Sequence, residues 1–140
     1  MSYDIYWTRI PRQEMKTVEY TEEEIEIMRH HSGLCGELNW SDTQEPLVWG
    51  DTGLNITSNL YEMFSWAFGV KDWKFIDGKK GSEIFPLLKT AIKKMEFLPN
   101  EAKKYDSPNG WGTYPNALTF LKDLLAECVY YKNCYLYISY

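Results

Sequence analysis

Histidine and cysteine are scarce in this sequence, two and three respectively among 140 residues, so few side chains can act as a neutral-pH base, a thiolate or a soft metal ligand. No Gly-x-Ser-x-Gly elbow is present, and two histidines leave little to activate a serine or cysteine nucleophile. A hydrolase triad is therefore not expected. Positive charge is in deficit as well: 15 Lys and Arg stand against 20 Asp and Glu, a formal charge of −5. That is the wrong sign for a chain that neutralises phosphates along a nucleic acid duplex. Charges interrupt every apolar stretch before it approaches the ~20 residues needed to cross a bilayer. Met1 to Ile10 carries Asp4 and Arg9 where a secretion signal has a basic start and a long apolar core. The expectation is a cytoplasmic protein with neither duplex nor membrane as partner. There Cys35, Cys128 and Cys134 read as reduced thiols, and the sequons at Asn39 and Asn55 as chance matches. His30, His31 and Cys35 lack a second paired-ligand motif, so they read as a helix end near the negative dipole pole; no metal and no cofactor are expected.

What is present is an ordinary globular composition, 44% hydrophobic and 25% charged, in a length that suits one domain over residues 1–140. Tyr3 to Ile10 and Tyr135 to Tyr140 are rich in aromatic and β-branched residues and read as a first and a last strand, the former ended by Pro11. A lone two-stranded ribbon is marginal in water, so the terminal strands should lie together, or with a third, against helices. Thr21 with Glu24 forms a capping-box pattern for a helix whose Ile25 and Met28 should face inward. Apolar residues recur at helical spacing from Ile84 through Leu87, Leu88, Ala91 and Ile92 to Met95, and again from Ala117 to Cys128. Ser82 is the expected cap of the first of these, Pro115 opens the second, and a shorter helix over 59–68 ends at Gly69. The predicted class is α+β: a small sheet pairing the N- and C-terminal strands, packed on three to four helices. Residues of about 31–53 show neither a period of 2 nor one of 3.6 and read as a long irregular insertion, with at most a short strand at Leu47 to Trp49.

The acidic runs at Glu22 to Glu26 and Glu96 to Glu101 read as solvated helix ends, and Gly78 to Ser82 as a tight turn with a helix cap, lacking the spacing of a phosphate loop. One constellation is more suggestive. Asn55, Thr57 and Asn59, followed by Met63 and Trp66, combine with Asn109, Gly110, Trp111 and Tyr114 as amide groups interleaved with flat rings. Asn offers both donor and acceptor, as a nucleobase edge does, and Trp and Tyr offer stacking faces. Lys79 or Lys80 would meet a phosphate. The competing reading is that Asn and Thr only cap a helix and Asn-Gly only makes a turn.

At these residues the chain resembles a family of small, largely uncharacterised proteins encoded by bacteriophages and prophages. The likeness lies in Ser2-Tyr3-Asp4-Ile5, in Asn55-Ile56-Thr57-x-Asn59, and in Asn109-Gly110-Trp111-Gly112-x-Tyr114 with Ala117, Leu118 and Leu121; Lys16 to Gly53 departs from it. The resemblance implies a small α+β protein acting on the host cell. The function expected is that of a non-enzymatic binding protein that sequesters a small nucleotide-like ligand, a host immune signal. The alternative is an inhibitor of a host defence protein, docking through the acidic loop that bears Trp40 and Trp49. A homo-oligomer is compatible with either.

Overall fold

A computed structural model describes residues 2–8, 18–31 and 49–140. Three strands form one antiparallel sheet: β1 (Ser2–Thr8) lies in the middle, flanked by β2 (Trp49–Thr57) and β3 (Leu136–Ser139). The helices are α1 (Glu22–Met28), α2 (Tyr61–Phe68), α3 (Gly81–Phe97), α4 (Pro99–Lys103) and α5 (Tyr114–Tyr130), with 3₁₀ turns at Ser58–Leu60 and Trp73–Ile76. The α+β class holds, with five helices described and a third strand in place. No helix among the described residues is long and apolar enough to cross a membrane.

Alternation along the strands explains the layering. Tyr3, Ile5 and Trp7 of β1 and Leu136 and Ile138 of β3 are buried, whereas Asp4, Tyr6 and Tyr137 lie on the other face. The buried face rests on α5, whose Ala117, Phe120, Leu121, Leu124 and Cys128 are inaccessible, and α3 adds Ile84, Leu88, Ala91, Ile92 and Met95. Each fully buried aliphatic side chain contributes ~1.5–3 kcal/mol, so these two helices supply a large share of the core. Much of the aromatic content goes the same way. Trp73 meets Tyr3 and Phe64 edge-on at 5.1 and 5.2 Å, Phe64 stacks on Phe120 at 5.5 Å, and Trp7 stacks on Tyr131 at 5.4 Å.

Several expectations need correction. Met28 faces inward, but Ile25 is exposed and Ile27 packs in its place; Leu87 is likewise exposed. Residues 49–57 form a nine-residue strand where no element beyond Trp49 was predicted. Between the pairs Asp4↔Asn55 and Tyr6↔Asp51 the register slips, so residues 52–54 of β2 stand opposite Ile5 alone. The first amide hydrogens of α3 are capped by backbone, not by Ser82: Gly81 and Ser82 donate to the carbonyls of Cys134 and Lys132 at 3.1 Å each. The outer edge of β3 is also closed, since Leu136 exchanges hydrogen bonds with Gly78 and Lys79, and the Ile138 amide donates to Asp77 Oδ1 at 3.0 Å. Cys128 and Cys134 are buried. Residues 32–48, including Cys35 and Trp40 of the expected insertion, lie outside the described residues.

α1 is fastened to α5 from below. Glu127, fully buried, accepts from Trp7 Nε1 at 2.9 Å and pairs with His31 Nε2 at 2.5 Å. Burial alone would lower the His31 pKa, but the hydrogen bond and charge of Glu127, aided by Asp123, outweigh it and the net shift is upward.

Candidate functional site

The C-terminal end of β2, the 3₁₀ turn that follows it and the 107–112 loop enclose an open surface hollow of ≈ 460 Å³, lined by Ser2, Asn55, Ile56, Thr57, Asn59 and Trp111. Each wall is placed by short-range bonding. Pairing of Asp4 with Asn55 in the sheet brings the Asn55 side chain over β1, where Nδ2 donates to Ser2 Oγ at 3.1 Å and to Asp4 Oδ1 at 2.5 Å. Thr57 Oγ1 accepts from the Asn59 amide at 3.3 Å and so caps the turn, and Asn59 Nδ2 donates to the Trp111 carbonyl at 2.9 Å.

The loop carrying Trp111 is braced from within. Asn109 Oδ1 accepts from the Trp111 amide at 2.9 Å and from Ser107 Oγ at 2.6 Å, and the Ser107 amide donates to Gly112 O at 3.0 Å. Asp106 Oδ1 accepts from the Tyr114 amide at 2.8 Å, supplying the first turn of α5 with an acceptor that Thr113 does not provide. Gly112 is the joint: its φ is +104°, and a Cβ there would lie 3.1–3.2 Å from Thr57 Cγ2, Asn59 Cβ and Leu60 Cγ. A side chain at 112 would be strained by conformation and pushed against the wall of the hollow at the same time. Gly112→Ala should cost ~1–3 kcal/mol in urea denaturation and swing Trp111 off the hollow, visible as a shifted indole N–H resonance.

The result is an indole that is 70% exposed yet anchored through its own backbone. Around it the Oδ1 atoms of Asn55 and Asn59 accept no hydrogen bond among the described residues, while the Ser2 and Thr57 hydroxyls retain a proton to give. Among the described residues no Lys or Arg lines the hollow.

Of the residues singled out in the sequence, Asn55, Thr57, Asn59 and Trp111 come together, and Asn109 and Gly110 hold the loop that presents Trp111. The others do not join them. Met63 is fully buried in the core. Trp66 is half-buried on α2, with Lys94 Nζ 4.5 Å above its ring and Tyr105 at 5.9 Å. Tyr114 donates from its hydroxyl to Met95 O at 3.0 Å, tying α5 to α3, and burial raises its pKa with help from Glu96. Lys79 bonds through its backbone to Leu136, and Lys80 lies over Tyr135 at 5.6 Å, both at the β3 side of the sheet. Ser2 and Ile56 were missed as lining residues; the signal for them was strand pairing, which sets Ser2 opposite Thr57. The histidines are elsewhere: His31 is on Glu127, and His30 lines a groove between α1, α3 and α5. Among the described residues no group of three His, Cys, Asp or Glu is placed to hold a metal ion.

No protein-family model, no curated protein and no solved structure matches this chain.

Proposed function

We propose that the protein is a phage-type binding module that captures a nucleotide-like ligand by its base, and that in the host cell it sequesters a signal of this class. The observation that carries this reading is the exposed, backbone-anchored Trp111 beside two amide oxygens that accept no hydrogen bond among the described residues. A base stacked on the indole gains ~1–3 kcal/mol, and an exocyclic amino group has Asn55 Oδ1 and Asn59 Oδ1 to donate to. The ligand's phosphate would remain in solvent, because Lys79 and Lys80 do not reach the hollow and Asp4 lies under its floor. Binding without turnover fits the chemistry of the lining: hydroxyls and amides, with both histidines placed elsewhere.

This reading makes adenosine and AMP bind alike, and makes uridine, which lacks the amino donor, bind about five- to tenfold more weakly. Trp111→Ala should reduce affinity for adenosine by at least about fivefold and change stability by no more than ~0.5 kcal/mol, as befits an exposed side chain. Isothermal titration with the four nucleosides and their cyclic and linear phosphates measures both. Absence of heat or thermal stabilisation with every member of the set at millimolar concentration would refute the proposal. So would equal binding by the Trp111→Ala variant.

A further inference from the structure

A second concavity stands apart from the hollow, and nothing in the proposed function uses it. It lies where α1 crosses α3 and α5, encloses ≈ 330 Å³, and has a floor of Ile27, Ile92 and Leu125. These three side chains belong to the edge of the core: Ile92 is 5% exposed and the other two are partly buried against it. The rim is charged. Lys89, Lys93 and Lys122 stand over the floor with His30, against Glu23 and Glu96. Among the described residues, three lysines against two glutamates make this rim positive in a chain whose overall charge is −5.

The pairing within the rim decides which cation is available. Lys89 meets Glu23 at 3.3 Å and Lys122 meets Glu96 at 3.4 Å, all four partly solvent-exposed. Exposed pairs of this kind are worth ~0–1 kcal/mol, so they hold the rim in place without locking it. Lys93, between them on the exposed side of α3, makes no ion pair among the described residues. An apolar floor beneath a single uncommitted ammonium group is complementary to a molecule with an apolar body and one negative end. The volume suits a small ligand.

We propose that the groove between α1, α3 and α5 binds a small carboxylic acid anion with an aliphatic or aryl body, its chain on Ile27, Ile92 and Leu125 and its carboxylate on Lys93. A cationic or neutral polar ligand gains nothing from the rim, and a phosphodiester would leave the apolar floor uncovered. The site is independent of the hollow, which shares none of its lining residues.

Sodium octanoate is the probe and octanamide, which has the same chain without the charge, is its control. In titrations followed by methyl NMR of the full chain, octanoate is expected to bind saturably and to shift the methyl resonances of Ile27, Ile92 and Leu125. Octanamide, and octanoate against Lys93→Gln, should each bind about five- to tenfold more weakly. Lys93→Arg should retain affinity, and Trp111→Ala should bind octanoate as the unaltered protein does. Because Lys93 is exposed, its replacement leaves the fold intact, which an unchanged melting temperature without ligand verifies. Equal affinity for acid and amide, unchanged binding by Lys93→Gln, or shifts confined to other methyl groups would each overturn the assignment.

Discussion

Replacing Glu127 with alanine is expected to lower the free energy of unfolding by about 3–5 kcal/mol, the usual cost of removing one partner from a buried charged cluster. The reason is the number of groups it leaves behind. Trp7 Nε1 loses its acceptor in the middle of the sheet's buried face, and His31 loses the anion that opposes its desolvation. Glu127→Gln keeps an acceptor for the indole and should cost less, ~1–2 kcal/mol. Urea denaturation with an unchanged slope would measure both. A loss under ~1 kcal/mol for the alanine variant would mean that the pair contributes nothing to stability.

The same cluster sets a pH dependence whose direction follows from the upward shift at His31. The folded state holds the imidazolium more tightly than the unfolded chain does, so this stabilisation is complete below the ordinary histidine value of 6.5 and is lost as pH rises through the higher folded value. Asp123 acts in the same direction at lower pH, its pKa raised by burial, against which His31 and His30 pull only partly. Unfolding free energy should therefore decline from pH 6.5 upward, and His31→Gln should flatten that decline.

Gly81→Ala should also be strongly destabilising, and here two physical effects predict opposite signs. Alanine is favoured over glycine in a helix by ~1 kcal/mol, so propensity alone predicts a gain. Yet a Cβ at 81 would sit 2.5 Å from the Cys128 carbonyl oxygen and 2.6 Å from that of Tyr131, with Lys132 Cα at 3.0 Å. All three are backbone atoms, at the point where the start of α3 is capped by the turn after α5, and they cannot rotate aside as a side chain would. Overpacking of this kind costs ~1–3 kcal/mol, and here also threatens the amide bonds of Gly81 and Ser82 to Cys134 and Lys132. A loss of about 2 kcal/mol or more is expected in the same denaturation series; a stabilised variant would show that the two helices can part at no cost.

What was legible in the sequence was what depends on neighbours along the chain. The capping box of Thr21 and Glu24 forms as written, α3 and α5 follow their apolar spacing, and α2 ends at Gly69. What was not legible depends on neighbours in space. β2 is obscured by Gly50, Gly53 and a slipped register, so its alternation never settles into a period of 2. The cap of α3 is invisible because it consists of carbonyls some fifty residues away. In the candidate site, Asn55, Thr57, Asn59 and Trp111, grouped in the sequence by residue type, are brought together by the fold around one hollow. Trp66 and Tyr114 were grouped with them by chemistry alone, although helical geometry turns the first toward Lys94 and the second toward Met95.

The position of β1 between β2 and β3 has a consequence for biosynthesis. The strand that organises the sheet is translated before any of the five described helices, but the partner on one of its sides, Leu136–Ser139, follows all of them. Until then the backbone groups of Asp4 and Tyr6, which face Ser139 and Tyr137, have no strand partner and are a template on which a second nascent chain can pair. A C-terminal truncation before Leu136 would make that interim state permanent and should yield a protein that accumulates as aggregate.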